Sequence, residues 1–161
     1  MRDVVILGAA RTPIGALAGK LAPVPATRLA SIAGAEALRR ARVEPAQVDE
    51  AIFGNVLSAG LGQAPARQAA LGAGLLVRAG AVTINKVCGS GLMAVTLAAD
   101  RIRAGEAEVV LAGGMESMSR APFLLARDGH RRTGNRELVD SLLWDGLLDP
   151  GSGRSMGQCG E

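Results

Sequence analysis

Residues 81–104 combine a short apolar run, a glycine-containing turn and a helix-forming stretch, and this combination constrains the fold more than any other part of the chain. The run from Ala81 to Ile84 predicts a buried strand. The apolar residues after the turn recur near helical spacing and predict a helix to about Ala104; they are Leu92, Val95, Leu97 and Ala98. The turn contains Cys88-Gly89-Ser90-Gly91, so the pattern places Cys88 at or beside a helix N-terminus.

A thiol in this position can act as a nucleophile. Unpaired backbone N–H groups and the positive end of the helix dipole favour the thiolate. The glycines on either side of Ser90 would let a substrate carbonyl approach the backbone closely. Taken alone, the same four residues also fit a small buried cysteine followed by an ordinary turn.

Further apolar runs alternate with helix-forming stretches along the chain. Strands are predicted at Val4–Leu7, Ala51–Leu57 and Val109–Ala112, although Asn55 interrupts the second run. Strands that alternate with helices, without short hairpin turns, indicate an α/β layered fold with a largely parallel sheet.

Two helices are predicted between these strands. The first covers about 27–41, with Thr27 as its cap; its predicted apolar face is Leu29, Ile32, Ala33, Ala37 and Leu38. The second covers 65–73 and begins at Pro65, a residue suited to a first helical turn. After Ser119 the periodicity weakens, and one short helix is predicted within 137–148, followed by a loop at 149–153.

Composition excludes several classes of function. The 161 residues carry a net charge of +3, but the arginines are scattered and aromatic residues make up 2%, which argues against nucleic-acid binding. One basic cluster fits either a solvated loop or attraction of a phosphate-bearing substrate; it comprises Arg127, His130, Arg131, Arg132 and Arg136.

Localisation is predicted from the same composition. No apolar run is long enough to span a membrane, and no signal peptide is visible. The two cysteines are too few for a disulfide framework, so a reducing cytoplasm is expected.

Asn85-Lys86-Val87-Cys88-Gly89-Ser90-Gly91 resembles the nucleophile motif of the thiolases, and within them of the acetyl-CoA acetyltransferases. Four other stretches agree in the same order: Ala9 to Gly15 (AARTPIG), Gly62 to Ala70 (GQAPARQAA), Ala112 to Ser119 (AGGMESMS), and Glu137 to Ser141 (ELVDS) leading to Asp145-Gly146-Leu147. The resemblance covers essentially the whole chain.

The resemblance implies a thiolase fold. Its first half is a βαβαβαββ unit against which a similar second half packs. Residues 1–118 would form the part that carries the nucleophile, and residues 119–161 would begin the loop domain that covers the active site and receives coenzyme A. An intact protein would be a homodimer or homotetramer, with the strand at 81–85 near the dimer seam and the region 120–145 at the tetramer contacts.

The implied reaction is acyl transfer between coenzyme A thioesters through an acetyl-cysteine at Cys88. Acetyl-CoA, acetoacetyl-CoA and CoA would be its substrates and products, with no cofactor and no metal. An ordinary thiol has a pKa of about 8.5, so an adjacent base is expected. In the family this base is a His in Gly-His-Pro, joined by a second Cys in Cys-x-Gly-Gly-Gly and an Asn in Asn-Glu-Ala-Phe. None of these motifs occurs here, so a truncated chain without turnover of its own is expected.

Three further positions carry over from the substrate pocket of the family. Leu147 and Met156 match apolar residues beside the acyl and pantetheine end of the substrate, although ordinary packing also explains them. Ser155 stands where these enzymes commonly carry a His. Neither His130 nor Cys159 matches a catalytic motif; His130 is expected to be exposed, and Cys159 to be an ordinary thiol at a helix start.

Two other functions remain open. One is a non-catalytic thiolase-like fragment or partner subunit, which the gene sequence beyond codon 161 would distinguish from a thiolase. The other is a ketosynthase that acts on carrier-protein thioesters, although ketosynthases surround their cysteine differently.

Overall fold

The computed structural model describes residues 3–127 and 134–161. Three parallel strands form the central sheet in the order β2-β1-β3, with β1 at Glu50–Gly54, β2 at Gly80–Ile84 and β3 at Val110–Gly114. In register, Ile52 of the central strand lies between Val82 and Ala112. The prediction of an α/β fold with a parallel sheet is confirmed.

Helices cover both faces of this sheet. Helices α1 (Ala26–Ala41) and α2 (Pro65–Gly72) lie on one face, and α3 (Ser90–Ala104) lies on the other. Side chains of a strand alternate between faces. Accordingly, Ala51 and Phe53 join the core under α1 and α2, whereas Ile52 packs with Ala94 and Ala98 of α3.

The predicted helix boundaries are largely confirmed, and the predicted faces are confirmed in part, since Leu38 and Ala98 are buried. Helix α1 begins after Pro25 and has no side-chain cap, so the assignment of Thr27 as the cap is wrong. Ile32 is exposed, and the buried face of α1 contains Ala26, Ala30, Ser31, Gly34 and Leu38. In α3, Leu92 and Val95 are exposed while Ala94 and Ala98 are buried. Small residues make up most of these buried faces, and a Cβ on Gly34 would meet Leu111 at 3.2 Å and Ala73 at 3.3 Å.

The first predicted strand is wrong. Val4–Leu7 is not a strand, and Ile6 is 81% exposed. The segment lies beside the end of α1, where a Cβ on Gly8 would meet the Ala37 oxygen at 2.9 Å and Arg40 donates to the Ala9 oxygen at 3.0 Å. Hydrophobicity alone does not make a strand, because the backbone also needs a partner edge.

The second and third predicted strands also need correction. The strand predicted at Ala51–Leu57 ends at Gly54, and the next residue, Asn55, donates from its side chain to Met115 and Glu116. The strand predicted to be buried at Ala81–Ile84 is β2, an edge strand with Val82 40% exposed.

The remaining residues form short elements. A two-stranded antiparallel ribbon joins β4 (Phe123–Leu124) to β5 (Val139–Asp140), and a π-helical segment follows at Leu142–Leu147. The short helix predicted within 137–148 is confirmed as this segment at Leu142–Leu147, although it is π-helical and β5 precedes it. The loop predicted at 149–153 is present, and α4 covers Met156–Cys159. Within the described ranges, every helix is too short or too polar to cross a bilayer.

Candidate active site

A cavity of about 420 Å³ opens at the carboxyl ends of β1 and β3, beside the turn before α3. Ligands of open α/β sheets bind at this end of the strands. The wall combines Cys88 and Glu116 with apolar and glycine residues; it comprises Gly54, Asn55, Val56, Leu57, Val87, Cys88, Ser90, Gly91, Gly114, Met115, Glu116, Met118, Gly146 and Leu147.

Cys88 lies just before the N-terminus of α3. The helix begins at Ser90 and Gly89 occupies the N-cap, so the predicted position of Cys88 beside a helix N-terminus is confirmed. The thiol is exposed and lines the cavity. This excludes the interpretation of Cys88 as a small buried hydrophobe.

Two glycines of the sheet allow the start of α3 to lie close to β1 and β3. A Cβ on Gly54 of β1 would lie 2.5 Å from the Ser90 carbonyl carbon, closer than real side chains approach. A Cβ on Gly114 of β3 would lie 3.1 Å from the Gly91 Cα. Glycine is therefore needed at Gly54 and Gly114, whereas a Cβ on Gly91 would meet the Gly114 Cα at an ordinary 3.5 Å.

Glu116 ties the end of β3 to the loop that follows β1. One carboxylate oxygen accepts the Val56 N–H at 2.9 Å, and the other accepts the Leu57 N–H at 3.2 Å. The Asn55 side-chain amide donates to the same carboxylate at 2.7 Å and to the Met115 carbonyl at 3.2 Å. These bonds fix the rim of the cavity opposite the turn of Cys88.

Burial raises the pKa of Glu116, and the hydrogen bonds from Val56, Leu57, Asn55 and Ser117 oppose this rise without cancelling it. Asn55 is 2% exposed, and its amide oxygen has no hydrogen-bond partner among the described residues. A half-buried carboxylate and an unpaired buried acceptor both cost stability. The cavity wall therefore contains polar groups that a closed apolar core would not contain.

The structure brings together only some of the site residues predicted from the sequence. Leu147 lines the cavity with Cys88, whereas Met156 and Ser155 are not among the lining residues. Ser155 instead caps α4, where its hydroxyl accepts the Gln158 N–H at 3.3 Å. Cys159 is exposed at the last residue of α4, so its predicted position at a helix start is wrong.

Part of the basic cluster lies outside the described residues. His130, Arg131 and Arg132 belong to this part, and the predicted exposure of His130 therefore stays a prediction. The cavity wall, as far as the described chain forms it, has Glu116 as its only carboxylate and contains no histidine.

Asn55 and Glu116 were missed as site residues in the sequence. Asn55 interrupts one apolar run that predicts a strand, and Glu116 follows another such run after Gly113-Gly114-Met115. The carboxyl ends of parallel strands meet at one edge of a sheet. A polar residue within or shortly after the carboxyl end of such a run is therefore the signal that would have found them.

Comparison with known proteins agrees with this architecture. The model of the thiolase N-terminal domain matches residues 4–161, and the chain belongs to the thiolase family. It is 56% identical to acetyl-CoA acetyltransferase 2 of Arabidopsis thaliana over 162 aligned positions, which cover 99% of this chain and 40% of that protein. Identity is also 56% to the acetyl-CoA acetyltransferase of Cupriavidus necator, over 92% of this chain and 38% of that protein.

A solved structure shows the same fold. The crystal structure of the Acat5 thiolase from Ascaris suum in complex with coenzyme A superposes with a TM-score of 0.93 at 41% identity, over 99% of this chain and 41% of that one. The predicted thiolase fold is thus confirmed. The chain spans about 40% of the length of these relatives.

Proposed function

We propose that this chain provides the nucleophilic half of an acetyl-CoA acetyltransferase site. The reaction is the reversible conversion of two acetyl-CoA to acetoacetyl-CoA and CoA, and Cys88 carries the acetyl group between them. The observation that supports this proposal most directly is the exposed Cys88 thiol beside the N-terminus of α3, in a cavity at the carboxyl edge of the sheet. The names of the relatives and the coenzyme A of the Ascaris thiolase support the substrate class.

The first half-reaction follows from this position. The Cys88 thiolate attacks the thioester carbonyl, a C–S bond forms to the enzyme, and the C–S bond to coenzyme A breaks as its thiolate leaves and takes up a proton. The N-terminus of α3 favours the negative charge on the carbonyl oxygen in the tetrahedral intermediate. Leu147 and the other apolar residues of the wall exclude water from the acyl group.

The remaining steps need groups beyond the cavity wall described above. A base must activate the thiol, and a second base must remove a proton from the acetyl methyl group. We propose that these are the His and second Cys of the family motifs, in the part of the relatives that the chain does not match. The 161 residues alone are therefore expected to show no turnover.

Organisation and assembly follow the same proposal. Residues 1–118 would carry the nucleophile and residues 119–161 would begin the cover of the site, with Met156 and Ser155 meeting the substrate once it is bound. A homodimer or homotetramer is proposed, because β2 forms an edge of the sheet and Phe123 and Trp144 are 66% and 67% exposed. A cytoplasmic location is proposed because a nucleophilic thiol needs a reducing compartment. The assembly is tested on an extended version, which adds the part of the relatives that this chain does not match. Sedimentation of the extended version as a monomer at micromolar concentration would contradict the assembly.

Trapping the acyl-enzyme tests the central assignment. The extended version is incubated with acetyl-CoA, and the acetylated peptide is located by mass spectrometry. We expect the acetyl group on Cys88, and we expect Cys88→Ala to abolish thiolysis of acetoacetyl-CoA. Cys159→Ala removes the other thiol and should retain most of the activity. Acetylation confined to Cys159 would refute the proposal.

A further inference from the structure

The residue before Cys88 has a backbone conformation that its side chain disfavours. Val87 has a φ of +48°, in the left-handed region, where β-branched residues are genuine outliers. Such a conformation persists only where the surrounding structure enforces it. The Val87 side chain is 50% exposed, so packing of that side chain does not supply the constraint.

Hydrogen bonds from two nearby side chains surround this turn. The Val87 N–H donates to the Asn85 side-chain oxygen at 2.8 Å. The Ser90 hydroxyl accepts the Lys86 N–H at 2.8 Å and donates to the Val87 carbonyl at 2.6 Å. The backbone N–H and carbonyl of Val87 are therefore both hydrogen-bonded, and the Ser90 hydroxyl makes two of the three bonds in this turn.

Ser90 is itself fixed to the central strand. It is 4% exposed, and Gly54 of β1 lies so close that an added Cβ would meet the Ser90 Cβ at 2.5 Å. The turn is thus packed through Ser90 against β1, the central strand of the sheet. Relaxation of Val87 to a negative φ would rotate the peptide group that leads to Cys88.

We infer that Ser90 and Asn85 are positioning residues that hold Val87 in its left-handed conformation and thereby present the Cys88 thiol to the cavity. This inference rests on the proposed role of Cys88 as the reactive thiol. It is tested without acyl transfer, so the two can fail separately. Selective alkylation of Cys88 in this chain would support the inference even if acetyl-CoA did not acetylate Cys88 in the extended version, a result that would defeat the proposed function alone.

The test compares two thiols within the same molecule. The full chain is treated with iodoacetamide, and the alkylation rates of Cys88 and Cys159 are measured by peptide mass spectrometry. Ser90→Ala should lower the ratio of the Cys88 rate to the Cys159 rate about tenfold, because only part of the population then presents the thiol. A ratio within about twofold of the unsubstituted chain, or above it, would overturn the inference.

Ser31→Ala is the matched control. Ser31 is also 4% exposed, and its hydroxyl donates to the Thr27 carbonyl at 2.7 Å within α1. The substitution removes a buried hydroxyl and its hydrogen bond, as Ser90→Ala does, but away from the turn. Its melting temperature should fall while the alkylation ratio stays unchanged. A tenfold fall in the ratio for Ser31→Ala would show that any loss of stability exposes or hides Cys88, and would overturn the inference.

A rescue variant separates positioning from general disruption. Glycine adopts positive φ without strain, so Val87→Gly added to Ser90→Ala should restore most of the alkylation ratio. A double variant as impaired as Ser90→Ala would contradict the inference. If Ser90→Ala does not fold, Asn85→Ala carries the test, because Asn85 is exposed and its loss removes only the acceptor of the Val87 N–H. The same tenfold fall is expected there, and an unchanged ratio would overturn the inference.

Discussion

A carboxylate ties β1 to β3 at each end of the sheet, and the two carboxylates respond to folding in opposite ways. At the amino end, Asp49 accepts the N–H groups of Glu108 and Val109 at 2.8 and 3.1 Å, and these bonds lower the pKa of Asp49. At the carboxyl end, Glu116 accepts N–H groups of Val56 and Leu57, yet burial raises the pKa of Glu116.

The difference shows which end of the sheet is organised around a cavity. An exposed carboxylate gains from backbone N–H groups at little desolvation cost, and Asp49 simply joins two segments. Glu116 performs the same connection beside a cavity, where desolvation exceeds the gain from its donors. Strained and costly groups such as Val87, Asn55 and Glu116 gather at this end, as is typical of functional sites.

The largest expected effect comes from a matched pair of glycines in the sheet. Gly54→Ala, at the carboxyl end, places a methyl group 2.5 Å from Ser90, whereas Gly80→Ala, at the amino end, meets the Glu50 Cγ at an ordinary 3.5 Å. We expect Gly54→Ala to lower the free energy of unfolding by about 3 kcal/mol or more. Gly80→Ala should leave it within about 1 kcal/mol. Denaturant titration of both variants measures the difference.

Equal losses in the two glycine variants would contradict the distinction between the two ends. The alkylation ratio of Cys88 to Cys159 supplies a second measurement on the same proteins. It should fall in Gly54→Ala, because Ser90 is displaced, and remain unchanged in Gly80→Ala.

The same contrast explains which features the sequence could predict. The strand–turn–helix at 80–104 was predictable because its signals are local: an apolar run, glycines and helical spacing meet at Cys88. The runs Val4–Leu7 and Ala51–Phe53 carry similar signals, but only the second lies in the sheet. What separates them is a partner edge on each side, and this depends on residues distant in the chain. Asn55 and Glu116, 61 positions apart, meet for the same reason and were not predicted as a pair.

A smaller effect is expected from Glu116→Gln. Whichever way the new amide is turned, its NH₂ group faces at least one of the donors that now contact the carboxylate. Leaving such a donor unpaired should lower the free energy of unfolding by about 1–3 kcal/mol at neutral pH. Chemical unfolding at pH 7 measures this loss.

The pH dependence of the same variant provides a sharper test. The pKa of Glu116 is higher in the folded than in the unfolded protein, so the folded state binds more protons between the two values. The contribution of Glu116 to stability therefore falls as the pH rises from about 4.3 through the folded pKa. Glu116→Gln should lack this fall. An identical pH profile in both proteins would contradict the role of burial at Glu116.

The smallest expected effect is that of Asp49→Asn. The pH dependence of the Asp49 contribution to stability is opposite in sign to that of Glu116. The pKa of Asp49 is lower in the folded than in the unfolded protein, so its contribution to stability is fully present above the unfolded value of about 3.9 and is lost as the pH falls through the folded value. Asp49 is exposed, and after discounting for solvent screening we expect Asp49→Asn to cost less than about 1 kcal/mol at pH 7. The difference from the unsubstituted chain should shrink as the solution is acidified below pH 4. Unfolding titrations of both proteins at several pH values measure it, and a difference that grows on acidification would show that the two ends of the sheet do not differ as described.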